Sequence, residues 1–204
     1  MNYLGHAVLS PLDDLITLGN LSGDYLKNHM HPLLSPPILQ GVFLHRSIDF
    51  YTDNHPDFRA MLTFYRPYFG KYSGVVLDVL LDYLLSKLWD QLFENDFTVF
   101  SSQIYEAIFD QSKSLPERPA EIMFRMASSD WLAAYGEEER ILRVFKRLSE
   151  KAQTELSGSR VLDVLKENES TLIALSLDFF YDIKKHLKDN ALLTESRVEW
   201  RLKI

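Results

Sequence analysis

His45, Asp49 and Asp53 recur every four residues, so on an α-helix they line one face. Asn20 and Asp24 repeat that spacing, as do Asp78 and Asp82. Like charges four residues apart repel, so Asp49/Asp53 and Asp78/Asp82 cost stability unless something uses them. Three such faces packed together could converge on one divalent cation or a pair. Hard cations take carboxylate oxygens with one or two imidazoles, and helix bundles build metal sites from inward residues of facing helices. The plainer reading is a solvated stripe. Ser86 and Asp90 continue the 78–82 line, and acids suit a helix N-terminus. Around His45–Asp49–Asp53 the crowding by Val42, Phe43, Leu44, Ile48 and Phe50 favours a site. His6 taken alone reads as a capped or core histidine. His29, His31, His55 and His186 read as loop or surface residues.

Other chemistries find little support. The chain has no cysteine, which removes thiolate nucleophiles, cysteine-bound zinc, iron–sulfur clusters and disulfides. There is no glycine-rich phosphate loop, no Gly-x-Ser-x-Gly elbow and no His-Glu-x-x-His. A net charge of −7 disfavours a nucleic-acid partner.

The elements that must position these residues are helical. The chain is 204 residues with 46% hydrophobic and 13% aromatic residues, enough for the core of one domain. Residues 75–93 hold 13 apolar residues in 19. That run is too long for a strand, and Asp78, Asp82, Lys87 and Asp90 make it too polar for a membrane span. It predicts a central buried helix. Ile141, Val144, Phe145 and Leu148 form one apolar stripe, and Leu172, Leu175, Phe179 and Ile183 another. Breaks at Gly, Pro and Ser clusters leave helices near 12–28, 37–54, 56–69, 75–93, 97–111, 120–135, 138–155 and 160–187. The expectation is a single all-α domain over 1–190, a helical bundle, with 191–204 as a loosely packed tail. No signal peptide is visible, so the protein reads as soluble and cytoplasmic.

Several segments resemble a known family. Asn2-Tyr3-Leu4-Gly5-His6 looks like its opening, and residues 19–25 (GNLSGDY) are similar to its Gly-Asn-x-x-x-Asp-Phe block. Residues 41–54 (GVFLHRSIDFYTDN) resemble its most specific motif, His-Arg-x-Ile-Asp-x-x-Thr-Asp. Residues 77–83 (LDVLLDY), then Leu84 and Trp89, look like its Leu-Asp-Val-x-x-Asp-His-Phe-Leu block, and Trp131-Leu132 with Tyr135 match a weaker patch. The family is acyl carrier protein phosphodiesterase, a divergent relative of the HD-domain metal phosphohydrolases. One departure stands out: Tyr83 follows Asp82 where the family shows histidine. A tyrosine bordering the pocket would serve there by donating its hydroxyl hydrogen to a ligand.

The resemblance implies an HD-domain-like fold and a hydrolase. It would release 4′-phosphopantetheine from the serine of holo-acyl carrier protein, with Mn²⁺ as the expected cofactor and Mg²⁺ as the alternative. Together with the spacings it nominates His6, Asp24, His45, Asp49, Asp53, Asp78 and Asp82 as metal ligands. His45, Asp49 and Arg46 are nominated for catalysis. Arg46 would grip phosphate oxygens, or else sit in a surface salt bridge. Residues 1–90 carry six Lys/Arg and nine acids, five of them in the nominated set. The rest of that half is thus slightly basic, as an acidic carrier protein would require. Two other readings stand beside this one: a hydrolase of another phosphate ester such as a nucleotide, and a non-catalytic helical module that binds carrier protein.

Overall fold

The computed structural model describes residues 1–201. Every regular element among them is helical, and extended pairing is confined to two isolated bridges, Pro11 with Ser196 and Phe93 with Trp200. The helices are α1 (Tyr3–Val8), α2 (Asp14–Leu21), α3 (Pro36–Asn54), α4 (Pro56–Phe69), α5 (Ser73–Lys87), α6 (Trp89–Leu92), α7 (Phe97–Gln111), α8 (Glu117–Ser128), α9 (Trp131–Ala134), α10 (Glu138–Ala152), α11 (Gly158–Glu167) and α12 (Glu169–Asp189). No described helix is long and apolar enough to cross a membrane.

Several boundaries depart from the sequence pattern, each for a local reason. The helix expected over 12–28 stops at Leu21, and a 3₁₀ turn over Asn28–Leu33 follows. The run 120–135 breaks at Asp130, whose left-handed backbone (φ 48°) no helix continues through. Asn168 divides the expected 160–187 helix, its side chain bonding back to the Val164 carbonyl at 2.9 Å. α1 escapes periodicity altogether. Six residues are too few to show a period or to form a helix unaided, so its stability must come from outside.

α5 runs through the core with ten of its 15 residues buried, as its apolar run predicts. α10 and α12 lay Ile141, Phe145, Leu172, Phe179 and Ile183 into the same core. α2 and α3 touch backbone to backbone. A Cβ at Gly19 would stand 2.1 Å from the Ile38 carbonyl oxygen, and one at Gly41 2.2 Å from that of Ile16. Only hydrogen side chains allow that approach, and it carries His45 of α3 beneath the end of α2. The last described residues differ from the expected loose tail. Leu193 and Val198 are buried, Trp200 packs on Phe93, and buried Arg197 pairs with Asp14. Residues 202–204 lie outside the described residues.

Candidate functional site

α1, the end of α2 and the middle of α3 meet around two histidines. The His6 and His45 rings stack with centroids 4.1 Å apart and planes 16° from parallel. Asn20 sits between their inner edges. The His45 Nδ1 lies 2.8 Å from the Asn20 carbonyl oxygen. A carbonyl only accepts, so Nδ1 carries the hydrogen. The Asn20 Nδ2 donates to the His6 carbonyl and to the Ser10 Oγ, both at 2.9 Å. This fixes the amide orientation and leaves Oδ1 as the acceptor for the His6 Nδ1–H, also at 2.9 Å. Both outer nitrogens, His6 Nε2 and His45 Nε2, are buried and make no hydrogen bond.

Asp49, one turn beyond His45, spans those two nitrogens. Its Oδ1 is 3.2 Å from His6 Nε2 and its Oδ2 is 3.2 Å from His45 Nε2. Asp24 completes the group from the turn after α2, with Oδ1 3.5 Å from His45 Nε2. Asp24 is 80% exposed and Asp49 40%, while both rings are buried, so the group has a buried nitrogen floor and a wet carboxylate rim. Gly23 makes room for the floor: a Cβ there would stand 2.4 Å from His45 Cγ.

Electrostatics follow from that layout. Burial works to lower the His45 imidazole, but the Asp24 and Asp49 carboxylates outweigh it and push it up to about 9. Burial and the neighbouring His45 push His6 down, which keeps it neutral. Burial alone would raise Asp49, yet the two histidines hold it well below the usual carboxylate range. The neighbouring His45 imidazole lowers Asp24.

The group opens into a pit of about 590 Å³ whose walls include Asp24, Lys27, His29, Arg46 and Asp49. Arg46 is steered toward this rim by its bond to Asn28 Oδ1 at 2.7 Å and by His31 Nε2 at 3.3 Å.

The remaining nominated acids stand outside the His6–His45–Asp49 cluster. Asp53 stands two turns past His45, about 12 Å along the axis, which is beyond one ion's coordination sphere. It is exposed and near enough to Asp78 to raise it. Asp78 accepts from the Met1 ammonium at 2.9 Å. Asp82 is fully buried beneath α1, where it accepts the backbone N–H groups of Leu4 at 2.7 Å, Asn2 at 3.1 Å and Gly5 at 3.2 Å. Burial pushes its carboxyl up to about 7, although those donors favour the ionised form. Asn20 is the site residue the spacing argument undervalued. A buried Asn beside a glycine that lets two backbones touch was the available signal.

A second histidine–carboxylate group, His55, Asp57 and Asp182, has the opposite tautomer. His55 Nδ1 accepts the Asp57 backbone N–H at 3.2 Å, so the ring caps α4 and turns its Nε2–H toward Asp182. His55 is thus a buried cap, where the sequence suggested a loop or surface residue.

Tyr83 turns away from the histidines. Its hydroxyl faces Glu138 and Glu169, and Lys87 lies 5.5 Å from its ring. The pocket-bordering tyrosine expected from the sequence is therefore a buried residue on another side of α5, because 100° of helical rotation carries it past α1. Tyr83→Phe should leave divalent-cation affinity and hydrolysis within about twofold of wild type. A drop of about tenfold or more, read by calorimetry and product assay, would restore it to the site.

The chain matches the acyl carrier protein phosphodiesterase family over residues 1–183. It is similar to proteins of that name from Serratia proteamaculans (strain 568), 35% identical over 65 residues, and Salmonella newport (strain SL254), 35% identical over 66 residues. Each alignment covers 32% of this chain and 34% of the relative, so the matched segment spans about a third of those relatives' length. No solved structure matches. With the family match running from α1 into α12, the chain belongs to the acyl carrier protein phosphodiesterase family.

Proposed function

We propose that the protein is a metal-dependent phosphodiesterase that hydrolyses 4′-phosphopantetheine from the serine of holo-acyl carrier protein. One observation carries the metal reading: two buried imidazoles, each with its Nδ1 tied to an acceptor, turn their Nε2 atoms toward one carboxylate. Ligand atoms of His6, His45 and Asp49 all lie within 4.8 Å of one another, and Asp24 adds an oxygen. Two imidazoles and two carboxylates suit Mn²⁺ better than Mg²⁺, which prefers oxygen alone. When bound, such a cation polarises a phosphoryl oxygen and acidifies water.

The chain's own residues do the rest. His6 and His45 would hold the cation through their Nε2 atoms, with Asp49 facing both. Asp24, exposed and on a turn, closes the rim. Arg46 and Lys27 on the pit wall offer donors to the non-bridging oxygens of an anionic diester. Water adds to phosphorus, the bond to the serine oxygen breaks, and that oxygen takes up a proton. The scissile oxygen belongs to the carrier serine itself, so the carrier surface must seat directly on this rim. The test is mass spectrometry of holo-carrier incubated with the protein and Mn²⁺. Loss of the phosphopantetheine mass, with free 4′-phosphopantetheine in solution, is expected. An unchanged carrier alongside hydrolysis of another phosphate ester would move the substrate assignment, and no hydrolysis at all would overturn the enzyme reading.

The proton on His45 makes cation binding pH-dependent. In the metal-free protein that ring stays protonated up to about pH 9, and a cation at Nε2 must displace the proton. Affinity should therefore rise about tenfold per pH unit between 7 and 9 and level off above. Calorimetry in buffers of different ionisation enthalpy should register close to one proton released at pH 7.5. Zero protons released would mean that His45 is not a ligand. Stability of the metal-free protein should run the other way. A raised imidazole contributes fully below about pH 6.5, and that contribution is lost as pH climbs through 9.

A further inference from the structure

We propose that Asn20 is the positioning residue that holds both imidazoles in the tautomer a cation requires, its side chain serving His6 and its main chain serving His45. This rests on the metal-site reading above. Asn20 is fully buried, and every polar atom of its amide is bonded: two bonds donated, to the His6 carbonyl and Ser10 Oγ, and one accepted from His6 Nδ1. The amide thus grips His6 at both its ring and its carbonyl, and it locks α1 to α2. No other side chain of similar size does both. Aspartate keeps an acceptor but turns a second oxygen on the His6 carbonyl. Leucine fills the space and offers neither group.

The division of labour between side chain and main chain gives the inference its test. Removing the Asn20 side chain frees the His6 ring to carry its hydrogen on Nε2, where it blocks a cation. The Asn20 carbonyl remains, so the His45 Nδ1–H keeps its partner. One substitution should therefore disturb one histidine of a stacked pair and spare the other.

The experiment is long-range ¹H–¹⁵N correlation of the imidazoles in the metal-free protein at pH 7.5, with Mn²⁺ titration by calorimetry on the same samples. In the wild type, His6 should appear as the neutral ring protonated at Nδ1. In Asn20→Ala, the His6 signals should shift or split between tautomers while the His45 signals hold. Mn²⁺ affinity should fall about 10- to 100-fold, the scale on which partners of metal-ligating histidines act. Asn20→Ala with wild-type Mn²⁺ affinity and unmoved His6 signals would overturn the inference. So would a wild-type His6 protonated at Nε2, a reading that needs no variant and decides the matter if the variant unfolds. If the wild type instead takes up no divalent cation while His6 sits in the Nδ1–H form, the metal reading fails and the tautomer assignment to Asn20 survives.

Discussion

Asp49→Asn should abolish divalent-cation binding and lower cation-dependent hydrolysis about a thousandfold, with little change in helical circular dichroism. The side chain is half-exposed and contributes little packing, but it is the one group that reaches both histidine nitrogens. An amide of the same shape can offer only one oxygen, and its NH₂ would point at an imidazole lone pair. The rate loss corresponds to about 4 kcal/mol, the scale of charge stabilisation that a cation supplies to a phosphoryl transition state. His45 gives an independent readout. Asp49 helps hold it up near pH 9, so in the metal-free variant His45 should titrate closer to the ordinary imidazole range, which a proton NMR titration would follow. A variant that hydrolyses substrate at the wild-type rate would remove Asp49 from the site.

His45 and Asp49 were legible because a single helix turn determines their separation, and nothing in the tertiary structure can alter that. Asp53 shows the limit of the same rule: an i, i+8 residue shares the face, but 12 Å of axis separates it from the first. The three-helix convergence could not be read from spacing, because it depends on Gly19 and Gly41 letting α2 and α3 touch. The Asn20–Asp24 spacing suggested one helix face, but α2 ends between them and a turn brings Asp24 over His45. The all-helical class was legible from long apolar runs, and α1 was not, because a six-residue helix is made by its partners. His6 rides on that short helix, so its nomination rested on the family motif rather than on periodicity.

The acid that holds α1 in place is Asp82, and Asp82→Asn should lower stability by about 3 kcal/mol even in the metal-free protein. The first N–H groups of any helix lack partners within it. In α1 the Asp82 carboxylate meets those of Leu4 and Gly5, together with Asn2 just ahead, and it does so with no access to water. Hydrogen bonds to an ionised acceptor are the stronger kind. The amide replaces one acceptor oxygen with a donor facing other donors, and a buried N–H is left without a partner. For a chain of this size the midpoint of thermal unfolding should drop by about 10 °C. This separates Asp82 from Asp24, whose exposed side chain caps no helix and whose removal should cost the metal-free protein less. Below its melting point Asp82→Asn should also bind Mn²⁺ more weakly, because α1 carries His6 on its next turn. An Asp82→Asn protein that melts with the wild type but has lost its cation would show instead that this carboxylate is a ligand.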